Sequence, residues 1–189
     1  MTATTPRKAR SDAAANRQKI LQAAHFQFAQ DGPEASLNEV ARRAGVGVAT
    51  LYRHFPTRED LVAAVYANEV QELGEAADRA LSTLPPDEAI AVWVDRFLEY
   101  AATKRGLGEA LKALRERGDA RVDPRGVLAD SMSKLLEAGQ AAGTIRNGID
   151  GNDLLLAFAG LWSLPHDDQF ATRAKRLADL VVAGLRRDG

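Results

Sequence analysis

The stretch GVGVATLYRHFPTREDL, from Gly45 to Leu61, crowds a tyrosine, an arginine and a histidine between two large apolar residues. Gly45-Val46-Gly47 reads as a tight turn, and Gly47 can cap a helix running from about Val48 to Phe55. Pro56 ends that helix by biasing Phe55 out of the helical region. Thr57-Arg58-Glu59-Asp60 is a cap signature that opens the next helix, to about Leu84. Leu51 and Phe55 are four apart and face a core, which leaves Thr50, Tyr52, Arg53 and His54 on the outer surface. The same periodicity turns Val48 inward, beside Leu51 and Phe55.

Working outward, Ser36-Leu37-Asn38-Glu39 reads as a capping box before a short helix whose core face is Leu37, Val40, Ala41 and Ala44. Ahead of it, a helix from about Ala13 to Gln30 carries Ile20, Leu21, Ala24 and Phe28 on one stripe, and Asp31-Gly32-Pro33 stops it. Two short helices joined by a glycine turn, on a basic segment, make a helix-turn-helix. Thr50, Tyr52, Arg53 and His54 all donate hydrogen bonds of the kind phosphate oxygens accept, and Arg53 has the fork that reads guanine.

The charge distribution agrees. The net charge is −1, but up to Arg58 there are nine basic and four acidic residues, against 16 basic and 22 acidic in the remainder. A basic head on an acidic body places the polyanion contact on the head. The competing explanation is chance plus a basic tail, with Arg7, Lys8 and Arg10 either disordered or a minor-groove arm. The absence of cysteine excludes disulfides, thiol catalysis and Cys-ligated metal. His25, His54 and His166 lack the spacing of a helical metal site. No catalytic residue, metal or cofactor is expected. The 189 residues contain no run of 18 apolar residues, and the N-terminus lacks the apolar core of a signal peptide, so no membrane contact and a cytoplasmic location are expected.

Beyond Leu61 the pattern stays helical. Leu84-Pro85-Pro86-Asp87 starts a fifth helix with Trp93, Phe97 and Tyr100 near one face. Gly106 and Gly108 interrupt it, and a shorter helix follows to about Arg117. Gly118 to Pro124 reads as loop, and another helix covers about Arg125 to Ala142. The last two helices run from about Gly151 to Ser163 and from Asp168 to Arg187. About nine helices and no strand make the chain all-α. Its expected parts are a flexible basic tail (1–12), a helix-turn-helix domain (13–60) and an effector-binding and dimerisation domain (61–189).

Arg17 to Leu61 resembles the DNA-binding domain of the TetR (tetracycline-repressor-like) family. The resemblance rests on Ile20-Leu21, Ala23-Ala24, Phe28-Ala29 and Gly32. It continues through Val40-Ala41, Ala44-Gly45-Val46 and Leu51-Tyr52-x-His54-Phe55 to Arg58 and Leu61. It implies base-facing roles for Val48, Ala49, Thr50 and Arg53, and phosphate contacts by Tyr52, His54, Arg58 and Ser36. For Val48 periodicity and resemblance disagree. Gly47, Gln27 and Pro33 depart from the usual pattern, in ways that bear on packing.

The resemblance further implies a small-molecule pocket in the body. Its candidate lining is Trp93, Phe97, Tyr100, Leu111, Leu114, Met132, Phe158 and Trp162, all of which also serve as plain core. It implies that the last two helices pair with a second subunit through Leu154, Leu155, Phe158, Leu161, Phe170, Ala174, Leu177, Val181 and Leu185. These wide apolar faces also suit closure of the monomer's own core. The expected protein is a homodimeric regulator, a repressor released from a palindromic operator by an unknown small-molecule effector. The rivals are a helical-bundle enzyme and a ligand-independent architectural DNA-binding protein.

Overall fold

The computed structural model describes residues 6–32, 34–116, 124–165 and 167–187. Among them are nine α-helices: α1 (Pro6–Asp31), α2 (Leu37–Ala44), α3 (Val48–His54), α4 (Arg58–Thr83), α5 (Pro86–Gly106), α6 (Gly108–Glu116), α7 (Pro124–Ala141), α8 (Gly151–Ala157) and α9 (Phe170–Leu185). The sole extended pairing among these residues is an isolated antiparallel bridge between Ile145 and Arg186. The fold is all-α, with an N-terminal helix-turn-helix and a C-terminal helical part.

Two expectations about helix limits change. The first helix begins at Pro6, so the segment 6–12 expected as tail is helical; Met1 to Thr5 lie outside the described residues, as do Pro33 and the loop expected from Gly118 to Asp123. The helix expected from Gly151 to Ser163 is α-helical only to Ala157 and continues as a 3-10 helix, Phe158–Ser163. Phe158 and Leu161 are its buried residues. Their spacing of three matches the three residues per turn of that tighter helix.

The chain divides into two units, and the division cuts α4 and α5. The first unit comprises the described residues within Met1–Asn68 and Thr103–Arg121, the second those within Glu69–Ala102 and Val122–Gly189. Beside the helix-turn-helix, the first unit thus includes α4 as far as Asn68, the end of α5 from Thr103, and α6.

The first unit closes over a core containing Ile20, Leu21, Ala24 and Phe28 of α1, Leu37, Val40 and Ala41 of α2, Leu51 and Phe55, and Leu61, Val62 and Val65 of α4, joined by Leu107 and Leu114. Between α2 and α3 the chain reverses at Gly45, whose φ of 67° is left-handed and favours glycine. Its amide donates to the Arg42 carbonyl, and the Val46 amide to the Ala41 carbonyl at 3.0 Å. Those bonds satisfy carbonyls that the end of α2 leaves open.

At the start of α4 the expected cap forms. The Asp60 amide donates to Thr57 Oγ1 at 3.1 Å, and the Thr57 amide donates back to Asp60 Oδ2 at 3.2 Å. Thr57→Ala is therefore expected to cost about 1 kcal/mol in urea unfolding, the usual worth of such a cap.

In the second unit Trp93, Phe97, Tyr100 and Phe158 are buried together. The Trp93 and Phe97 rings stack at 5.7 Å, and Phe97 meets Phe158 at 5.2 Å. The indole N–H of Trp93 donates to the Leu73 carbonyl at 2.9 Å, so the buried ring leaves no polar atom unsatisfied. Arg96 of α5 meets Glu69 and Glu72 of α4 at 3.4 and 3.0 Å, and Glu99 at 2.6 Å. Burial works against the Arg96 cation. The bond to Glu99 and the fields of Glu69, Glu99 and Glu72 outweigh it and hold the pKa above the ordinary guanidinium value. The chain's last turn is tied down by the Arg146 amide on the Leu185 carbonyl and the Arg187 amide on the Thr144 carbonyl.

Candidate nucleic-acid interface

The interface is built on α3. Leu51 is fully buried and Phe55 nearly so, which fixes the helix by one side and by its C-terminal end. Gly47 stands in extended conformation at the N-terminus, and Phe55, out of the helical region before Pro56, caps the other end. Tyr52 (46% exposed), Arg53, Ala49 and Val48 lie outward, with Thr50 and His54 half-buried.

Val48, on which periodicity and resemblance disagreed, is 39% exposed. It is the first residue of α3, and it lies outside the shared core that buries Leu51 and Phe55. Its methyl groups are therefore available for the apolar contact that a thymine methyl offers.

Two residues behave differently from their sequence signature. Ser36 makes no side-chain cap, and Glu39 does not reach back to it but pairs with Arg42, whose guanidinium lies 2.6 Å away. That bond raises the Arg42 pKa above its ordinary value, foremost through the hydrogen bond itself. The Ser36 hydroxyl at the start of α2 is exposed and not engaged in capping. Arg58, expected at a phosphate, is half-buried and donates Nη1 to the Ala35 carbonyl at 2.7 Å, tying the start of α4 to the turn before α2.

Sequence reading missed two arginines that lie over aromatic rings. The Arg43 guanidinium carbon lies 3.7 Å from the centre of the Phe26 ring, and that of Arg17 lies 5.3 Å from the centre of Phe55. Both join α1 to later segments, and no local spacing announces such a contact. Among the described residues Arg17, Lys19, Arg43 and Arg53 have no carboxylate partner, so the head carries cations not neutralised within the unit.

The pocket and dimer candidates fall out less evenly. Trp93, Phe97, Tyr100, Met132 and Phe158 are buried in the second unit, whereas Leu111 and Leu114 belong to the first. Trp162 is 38% exposed and so is not enclosed. Leu154, Phe158, Leu161, Ala174 and Leu185 are buried within the chain itself, which removes them from an outer face. Leu155, Phe170 and Val181 are half-buried. Of the candidates only Leu177 is exposed, and the outward apolar residues that accompany it are Leu156, Trp162 and Leu180. The stripe was identified, but its inward and outward sides were not.

Comparison with known proteins places this geometry. The family described as bacterial regulatory proteins, tetR family, matches residues 20–65. The transcriptional regulator SbtR-like C-terminal domain matches residues 85–187. A solved TetR transcriptional regulator from Streptomyces coelicolor is 42% identical, with a TM-score of 0.84 over 92% of this chain and 99% of that one. A TetR regulatory protein from Mycobacterium vanbaalenii is 32% identical, with a TM-score of 0.72 over 95% and 99%. An HTH-type transcriptional regulator of Staphylococcus aureus is 31% identical over 106 residues, 55% of this chain and 57% of that protein. The chain thus spans little more than half the length of that curated relative. With family matches covering both the helix-turn-helix and most of the body, the chain belongs to the TetR family of DNA-binding transcriptional regulators.

Proposed function

We propose that the protein is a homodimeric repressor that binds a palindromic operator through α3 and is released from it by a small-molecule effector. The observation that carries this reading is the outer face of α3. There Val48, Ala49, Tyr52 and Arg53 stand exposed, and Arg53 has no carboxylate partner among the described residues. Arg53, Thr50, Ala49 and Val48 are assigned to base edges, and Tyr52, His54 and Ser36 to phosphates. Arg58 takes a mainly positioning role through Ala35.

One α3 meets too few bases to select a site alone. A two-fold dimer doubles the contacts, provided its recognition helices sit about one DNA turn apart, roughly 34–36 Å. The outward apolar residues Leu156, Trp162, Leu177 and Leu180 are the surface proposed for pairing. The effector site is assigned to the second unit, around Trp93, Phe97, Tyr100, Met132 and Phe158. An effector lowers operator affinity only by as much as it prefers the non-binding arrangement. The site of action is proposed to be the cytoplasm; no described helix is long and apolar enough to cross a membrane.

Genome-wide footprinting with the purified protein tests the reading. Protection of a short symmetric site supports it, and unselective coverage of DNA overturns it in favour of an architectural role. Binding to fragment libraries tests the residue assignments. Tyr52→Phe and His54→Ala are expected to weaken binding on all sequences alike, and Arg53→Ala to change the preferred sequence. Unchanged binding by all three would remove α3 from the interface.

A further inference from the structure

Arg17 lies on α1, outside the helix-turn-helix, yet its guanidinium is held at the far end of α3. The guanidinium carbon stands 5.3 Å from the centre of the Phe55 ring. Phe55 is the C-terminal cap of α3, nearly fully buried, and its ring is 6.3 Å from that of His54. The contact therefore brings a cation to the end of the helix that carries His54.

The placement has three consequences. A cation–π contact engages the guanidinium's charge and takes up none of its N–H donors in a hydrogen bond, so they remain available. The open carbonyls at the end of α3 favour a cation there. Arg17 is exposed, and among the described residues it makes no hydrogen bond or ion pair, so its donors are not spent inside the protein.

We infer that Arg17 is a further DNA-contacting residue, donating to a backbone phosphate beside the one assigned to His54 and held in register by Phe55. The inference rests on the reading of α3 as the DNA-facing helix. A phosphate is the fitting acceptor because the guanidinium is anchored at the end of the helix, past the residues assigned to base edges. Its contribution is therefore independent of sequence. Lys19, two residues on, is also exposed and without a carboxylate partner, but no described side chain anchors it.

Fluorescence anisotropy of the full chain on a mixed-sequence duplex, between about 50 and 200 mM salt, tests this. Arg17→Ala is expected to lower affinity severalfold and to flatten the plot of log affinity against log salt by about 0.9 for each Arg17 engaged. Arg17→Lys is expected to keep the slope while losing part of the affinity, since an ammonium keeps the charge but not the fork. Thermal unfolding is expected to show at most the small loss that one exposed cation–π contact carries. An unchanged slope, with or without a lower melting temperature, overturns the inference, because a structural role leaves the ion count intact. Equal flattening by Lys19→Ala also overturns it, because net charge and not the anchored position would then be responsible. Failure of the wild type to bind with any salt dependence would instead refute the α3 interface itself.

Discussion

Replacing Gly151 with alanine is expected to destabilise the second unit by about 2–3 kcal/mol, near the top of the usual range for overpacking. Alanine is the better helix former by about 1 kcal/mol, so propensity alone gives the opposite sign. The local geometry decides. A Cβ at Gly151 would collide with the Ala129 carbonyl oxygen and Ser133 Oγ, and would stand 2.8 Å from the Ser133 amide nitrogen. In α7 that oxygen and that amide are the acceptor and donor of one turn of helix, so the first residue of α8 lies directly against a backbone hydrogen bond. Backbone atoms do not rotate away as a side-chain tip does. Relief requires α8 to separate from α7.

Sliding α8 along its axis is opposed because Gln140 of α7 donates Nε2 to the Ile149 carbonyl at 3.0 Å, and a reciprocal cap keeps the start of α8 rigid just after it. The Asp153 amide donates to Asp150 Oδ1 at 2.9 Å, and the Asp150 amide to Asp153 Oδ2 at 3.1 Å. Gly160, in the 3-10 helix that follows, provides the control. A Cβ there meets nothing within 4 Å, so Gly160→Ala is expected to stay within about 0.5 kcal/mol. Urea unfolding followed by tryptophan fluorescence distinguishes the two. Equal stability of both variants would show that the α7–α8 contact is looser than described.

How far the sequence could be read depended on whether the deciding contact was local. The helix-turn-helix was legible because each of its signals is local: Gly45 and Gly47 at the turn, Leu51 and Phe55 four apart, Pro56 after them. The Thr57 cap was legible for the same reason. Ser36 shows the limit of such reading. Glu39 faces two partners at similar reach, the Ser36 amide and the Arg42 guanidinium, and the spacing does not say that the charged partner wins. Val48 shows another limit. Helical periodicity reports which residues share a face, but a residue on the apolar side is buried only where something lies over it, and Val48 sits at the open first turn.

The apolar stripe of α9 meets a similar limit. Phe170, Ala174, Leu177, Val181 and Leu185 were read as one face, yet Ala174 and Leu185 turn into the chain's own core and Leu177 turns out. Period alone does not assign a side to a helix that is apolar on more than one. The contact of Arg17 with Phe55, the bond from Arg58 to Ala35 and the pairing of Arg96 with Glu69 and Glu72 all join residues far apart in sequence, and no local pattern encodes them. The first two fix the position of cations of the head, whose roles therefore follow only from the folded chain.

The joint substitution Leu156→Glu and Leu180→Glu is expected to convert the proposed dimer into monomers and to abolish protection of a symmetric site. Leu156 is 63% exposed and Leu180 67%, so each leaves most of its side chain in water in a single chain. Burying a leucine is worth about 1.5–3 kcal/mol, and in a two-fold interface each residue counts twice. Loss of four such burials, already partial, removes about 4 kcal/mol or more, roughly a thousandfold in the dimer Kd. Four carboxylates brought onto one apolar patch add repulsion and desolvation to that loss. The fold itself is expected to persist, since neither side chain is buried in the monomer, and circular dichroism checks this. Both residues lie in the second unit, while α3 lies in the first, so the phosphate contacts proposed for the head are left in place. Sedimentation should therefore show a folded monomer that retains weak, salt-sensitive binding to any duplex and loses preference for the footprinted site. A folded variant that still sediments as a dimer would move the interface to another surface. A monomer that still protects the symmetric site would refute the requirement for two copies of α3 and, with it, the palindromic operator.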